Sequence, residues 1–158
     1  MPSKSEDPVV ERLTEPQHPD ATELFALWRS KCGDNGQLPS REDLTLKELW
    51  ALRCADRSFI LEPLPDGDWQ YRLLGSRITQ FYGRDVSNIP FRQHMSPDEA
   101  EASIALSNEA ARDRKPVFLR MRYVGKTYSG IIETMSLPIL ARDGKTVWLF
   151  GASFFTNE

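Results

Sequence analysis

Histidines 18 and 94 and cysteines 32 and 54 are the chain's only members of those two residue types. A nucleophile, a proton shuttle or a soft-metal ligand would have to draw on these four side chains and on carboxylates. The cysteines have no C-x-x-C spacing and no matching histidines, which argues against a zinc site and for two free thiols in a reducing compartment. No nucleophile elbow, phosphate loop or metal motif occurs. Acid–base chemistry would need a pair such as His94 with Asp85 or Glu133, as in a small cone-shaped α+β isomerase or dehydratase. The sequence therefore assigns no catalytic and no metal-ligating residue, and argues against an enzyme.

The aromatic residues carry more information. Trp69, Tyr71, Phe81 and Tyr82, with His94, Met121 and Tyr123, either line a ligand pocket between a sheet and its helices or fill that space solidly. Aromatic side chains alternating along strands usually do the second. Phe25, Trp28, Trp148 and Phe154 form a second group. They are core if the first helix folds back on its own chain, and dimer or partner anchors if it packs on a second copy. Arg72, Arg120, Arg122 and Glu133 read as cross-strand ion pairs on an exposed face, with a patch for an anion or an acidic partner as the sharper alternative.

These residues need elements to hold them. The first nineteen residues, rich in Pro, Ser, Glu and Lys, read as a flexible tail (1–19), with a docking segment around Val9 and Val10 as the alternative. Residues 20–57 read as a helical extension. Asp20 with Glu23 opens its first helix and Gly33 stops it; Thr45 with Glu48 caps a second that ends near Arg57, with Leu46, Leu49, Trp50 and Arg53 on one face. From 58 the period changes to two. Ser58–Leu64 and Trp69–Leu73 form a hairpin around Pro65-Asp66-Gly67-Asp68. Ser76–Tyr82 is a short helix with Ile78, Phe81 and Tyr82 facing inward, ended by Gly83, and 84–95 is irregular. Ser96, Pro97 and Glu99 start a long helix running to about Arg114. Three strands follow, at 117–123, about 128–139 and 146–155, with turns at Gly125-Lys126 and Arg142–Lys145. The last is apolar on both faces and so belongs mid-sheet, covered on both sides. The third, with Arg120 and Arg122 outward, reads as an edge or a solvent-facing position.

Bulk properties fit one compact domain. A net charge of −3, from 20 basic and 23 acidic residues, does not suggest nucleic acid as a partner. No apolar run approaches the roughly 18 residues of a membrane helix, and the N-terminus lacks a secretory signal, so the expectation is a cytoplasmic protein with no membrane partner.

The order of elements resembles a PAS domain. Tyr71-Arg72-Leu73-Leu74-Gly75-Ser76 followed by Phe81-Tyr82-Gly83-Arg84-Asp85 is similar to the "RLaGt…lfGrd" signature of a PAS subfamily best known from alphaproteobacteria, often as short stand-alone proteins. Trp28-Arg29, Leu38-Pro39-Ser40-Arg41 and Glu133-Thr134-Met135-Ser136-Leu137-Pro138 match it too. The resemblance covers about 25–155. It implies an α+β fold: a five-stranded antiparallel sheet of order 2-1-5-4-3 (residues 58–158), short central helices, one long helix and the N-terminal helical extension. It implies a homodimeric sensory or regulatory module in signal transduction, binding a small ligand or docking a downstream signalling protein. The alternative is a ligand-free docking adaptor. Haem is disfavoured because the long helix, Pro97 to Arg114, carries no histidine, although His94 stands just before it. Flavin is disfavoured because neither cysteine falls where the photosensory members of the fold place theirs.

Overall fold

The computed structural model describes residues 10–124 and 129–157, apart from the side chains of Tyr123, Val124 and Asn157. The elements in order are β1 (Val10–Leu13), α1 (Pro19–Lys31), α2 (Leu46–Ala51), β2 (Ser58–Pro63), β3 (Trp69–Leu74) and α3 (Ser76–Tyr82). They continue with α4 (Phe91–His94), α5 (Pro97–Asp113), β4 (Val117–Val124), β5 (Ser129–Leu140) and β6 (Val147–Asn157). The strands form one antiparallel sheet of order β1-β4-β5-β6-β2-β3. The expected five-strand order is present, with β1 added at the far end. The turn at Gly125-Lys126 lies outside the described residues; at the other, the Asp143 carboxylate accepts from the amides of Lys145 and Thr146, both at 2.8 Å.

β6 lies between β5 and β2, and side chains of alternate parity enter two separate cores. Phe150, Ala152 and Phe154 join Leu24, Trp28, Ile60, Met135, Leu137 and Ile139 under α1. Leu149 joins Phe59, Trp69, Tyr71, Ile78, Phe91 and Ile104 under α3, α4 and α5. Gly151 faces this second core, where a β-carbon would overlap the Phe59 ring and the Met135 carbonyl.

The first cover comes from the same chain. Gln17 and His18 donate their backbone amides to the Glu133 carboxylate at 3.0 Å each. The Trp28 indole donates to the Pro138 carbonyl at 2.8 Å. That carbonyl is available for a reason. β4 stops pairing with β5 at Ser136, and Leu140 donates outward to Pro39 on the same edge. Residues two apart point the same way, so the missing N–H of Pro138 falls at an open margin, and the indole takes the place of a neighbouring strand.

Several expectations need correction. Residues 10–19 are not a free tail: β1 pairs with β4 and Arg12 pairs with Glu109, so β4 is not the edge. The cap of α1 is His18, whose Nδ1 accepts from the Asp20 amide at 3.1 Å, with Pro19 in the first turn. Asp20 instead holds Arg53 and Arg57 at 3.0 and 2.8 Å. The capping box of α2 forms as expected, but the helix ends at Ala51 rather than near Arg57. Within it Leu46 and Trp50 face solvent and Leu49 is buried, so the expected shared apolar face is not buried as a whole. The alternation of β3 breaks at a bulge, where Ile60 pairs with Leu73 and Leu61 with Tyr71; Leu73 is thereby turned outward. Residues 91–94, expected irregular, form α4.

Two measurements check this architecture. Gly151→Ala should lower stability by about 2 kcal/mol or more, because neither strand β5 nor the Phe59 ring can retreat from the added methyl; a thermal melt equal to wild type would refute the close approach. The two arginines hold the Asp20 carboxyl below its ordinary range against the cost of burial. A depressed carboxylate adds stability above its unfolded pKa, near 4, which is lost as pH falls through the folded value. Asp20→Asn should therefore be less stable than wild type at neutral pH, with the gap closing in acid. A gap unchanged down to about pH 2 would count against the pair.

Candidate functional site

Local rules bring one aromatic group together on the α3–α5 side of the sheet. Gly83, at φ 76°, closes α3 and leaves Tyr82 in its last turn. Ser96 caps α5 by accepting from the Glu99 amide, with Pro97 in the first turn, and this fixes the end of α4 just before it. Tyr71 on β3 then meets Phe59, Phe91 and Tyr82 at ring separations of 5.5, 5.5 and 6.3 Å. Tyr82 meets His94 edge-on at 6.2 Å and Phe81 at 5.8 Å, and Phe81 reaches Phe155 at 5.3 Å. The hydroxyls of Tyr71 and Tyr82 are 3.3 Å apart.

The group grades from closed to open. Trp69 and Tyr71 are buried, the Trp69 indole donating to Asn108 at 2.8 Å. Phe81 and Tyr82 are 36% and 38% exposed. Between these limits stands His94, whose Nε2 is buried with no hydrogen-bond partner among the described residues. Burial lowers the His94 pKa, and the Arg84 charge lowers it further against a smaller opposing effect of Asp68. Burial also raises both tyrosines, Tyr71 most, so both hydroxyls are protonated at neutral pH. The result is a wall of rings with neutral polar atoms, and behind it the buried Asp68 carboxylate, which accepts from the Trp69 and Arg92 amides at 2.7 and 3.2 Å.

Of the seven residues expected at a pocket, Tyr71, Phe81, Tyr82 and His94 form this connected group. Trp69 sits deeper, beside α5. Met121 is half-buried on β4, on the face that Val117 and Leu119 share with the helices. The side chain of Tyr123 lies outside the described residues. Alternation also places Thr134 and Ser153 on this face; their hydroxyls are 3.1 Å apart. Sequence reasoning missed that pair, although both stand in strands at positions between core residues.

The second expected group divides. Trp28 and Phe154 are buried within the chain's own first core, which removes them as interface anchors; Phe25 and Trp148 are half-buried beside it. The expected exposed ion pairs are partly replaced. Glu133 is buried and engaged with backbone amides, Arg72 pairs with Glu62 and lies over Trp148, and Arg120 reaches Gln17 and Glu11. Cys54 is buried, which pushes its thiol up to about 11. No cluster of His, Cys, Asp and Glu able to hold a metal occurs among the described residues. Nor is any helix there long and apolar enough to cross a membrane.

An antiparallel sheet with α3, α4 and α5 on one face, α1 on the other and an aromatic cluster beneath the first defines an α+β module. The family model described as "PAS domain" matches residues 16–154, and the chain belongs to the PAS domain family. As such it is a signalling or sensory module. Among solved structures, the PAS domain of a protein from Colwellia psychrerythraea is 16% identical, covering 72% of this chain and 98% of its own, with a TM-score of 0.45. No similar sequence is found among curated proteins.

The depressed His94 predicts a pH effect of definite sign. A base whose folded pKa is lowered adds stability above its unfolded pKa, and that stability is lost as pH falls through the folded value. Between about pH 6.5 and 5 wild type should lose stability relative to His94→Leu. Parallel pH profiles for the two proteins would show that the imidazole is not enclosed.

Proposed function

We propose that this PAS domain senses a small ligand bound against Tyr71, Phe81, Tyr82 and His94, and signals through a partner protein. The observation that supports it is the buried Nε2 of His94, without a partner, beside two partly open rings. Leaving such a nitrogen unsatisfied costs about 1–3 kcal/mol, which a ligand hydroxyl, carbonyl or amide would offset. A neutral imidazole donates through one nitrogen and accepts through the other, so one polar edge on a planar apolar body suits the site. Trp69 and Met121 would serve as its deeper walls.

The same geometry speaks against catalysis. Asp85 accepts from the Ser87 amide at 2.9 Å in its own turn, and Glu133 is committed to Gln17 and His18 under α1, across the sheet from His94. Neither carboxylate is arranged as an acid–base partner for the imidazole. A second reading, a ligand-free docking adaptor, draws support from the close ring contacts that bury Tyr71 and Phe91.

Native mass spectrometry of the purified protein, followed by a thermal-shift screen of planar aromatic amides and phenols, separates the two. The ligand reading expects a retained small molecule or a stabilising fragment whose effect falls about tenfold in His94→Leu and Tyr82→Ala. A wild-type protein that is ligand-free by mass and shifted by no fragment would leave the adaptor reading in place.

A further inference from the structure

Away from that site, the surface made by α2, the turn at 55–57 and the start of α3 has exposed apolar and cationic groups side by side. Leu46 and Trp50 are 65% and 61% exposed. Four residues apart on a helix, they stand on one outer stripe. Trp50 also walls an open cleft of about 430 Å³ whose other lining residues are Asp20, Arg53, Asp56, Arg57 and Arg77. We propose that this surface docks a partner protein through an acidic segment carrying an apolar side chain.

The three guanidinium groups are not equivalent. Arg57 is buried and fully occupied: it donates to Asp20 and to the Arg53 carbonyl, and its guanidinium lies over the Phe154 ring. Arg53 and Arg77 each give one nitrogen to a carboxylate, Asp20 and Asp56, and their side chains are 71% and 56% exposed. Their remaining donors face solvent in the fork geometry that receives carboxylates. Three cations line the cleft against Asp20 and Asp56, and Glu23 stands near enough to act on Arg53, so what the cleft offers an anion is the unused donors of Arg53 and Arg77. That offer suits a segment with one or two carboxylates and not a polyanion, which selects for dense positive charge. The apolar stripe runs past the cleft to Leu46, so the occupant is elongated.

Arg53 supplies an independent observation. It has φ 59°, the left-handed conformation. The Arg53 amide donates to the Trp50 carbonyl and the Cys54 amide to the Leu49 carbonyl, which makes a Schellman ending for α2. Glycine is the usual residue there, and a side chain costs about 1 kcal/mol. The fold uses the backbone of residue 53, whose carbonyl serves Arg57, and one nitrogen of its side chain, on an Asp20 carboxylate that Arg57 also holds. A strained arginine with an exposed guanidinium is kept for what the guanidinium does.

The test pans a display library of random short peptides on the full chain, then measures the synthesised winners by titration calorimetry. Enriched peptides should combine Asp or Glu with Leu, Phe or Trp. Their affinity should fall about tenfold or more in Trp50→Ala and in Arg53→Gly. Arg53→Gly relieves the left-handed residue but loses the Asp20 contact, so its melt is measured alongside binding to separate the two; Arg77→Glu, at an exposed side chain, gives the same readout if the glycine variant folds poorly. Failure to enrich, peptides lacking acidic residues, or unchanged affinity in these variants would overturn the proposal. So would a wild-type dimer in sedimentation that Trp50→Ala dissolves, which would give the surface to a second copy. His94→Leu should bind the peptides as wild type does, so the ligand reading and this one fail separately.

Discussion

A buried carboxylate sets the position of everything N-terminal to the sheet. Glu133 points from β5 into the face under α1, and it accepts the amides of Gln17 and His18 just where that helix begins. A buried charge without such donors would cost several kcal/mol; here two amides and the positive end of the helix receive it. The other end of α1 is tied by the Trp28 indole to Pro138. Between the two ties Ala21 and Leu24 lose all contact with water, so the helix lies flush on the strands. This is what allows β6 to be apolar on both faces. One face of Phe150 and Phe154 would otherwise meet solvent, and the sheet would need a second subunit to close it.

The two faces then differ in character. Under α1 side chains such as Leu137, Ile139 and Phe154 are fully buried, and the buried charged groups Glu133 and Arg57 are each engaged, by the Gln17 and His18 amides and by Asp20. Under α3, α4 and α5 the surface mixes rings with small or polar residues: Gly151, the Thr134–Ser153 pair, the two tyrosine hydroxyls and His94. Polar atoms placed among rings would let the proposed site discriminate between ligands, because each must find a matching partner.

Much of this was legible in the sequence because burial leaves a periodic trace. β4 follows from alternation, the central place of β6 from its apolar residues on both faces, and the capped starts of α2 and α5 from Thr45/Glu48 and Ser96/Glu99. β1 left no such trace: only Leu13 of its four residues is buried, and the strand is held by backbone pairing and the Arg12–Glu109 contact. His18 and Asp20 can both cap a helix, and what assigned the cap to His18 was the distant demand of Arg53 and Arg57 for the Asp20 carboxylate. Leu73 obeyed alternation until a bulge displaced it, and the helical spacing of Leu46, Leu49 and Trp50 did not tell which of the three is buried, since only Leu49 is. Of the candidate site, the aromatic residues could be named from their spacing. The unpartnered nitrogen of His94 could not, since it depends on which groups fail to reach it.

Helix α3 belongs to both proposed sites, and this gives the small helix a disproportionate place in the molecule. Tyr82, in its last turn, touches Tyr71 and His94; Arg77, near its start, reaches Asp56 beside Trp50 and Arg53. Its seven residues span only about 10 Å as a rod. The Gly75 amide bonds the Ser58 carbonyl at its beginning, and Gly83 caps its end. A ligand that displaced Tyr82 would bear on the whole helix, because packed elements shift between discrete arrangements and do not deform continuously. The two proposed sites would thus meet on one short element, with Arg77 near its start and Tyr82 in its last turn.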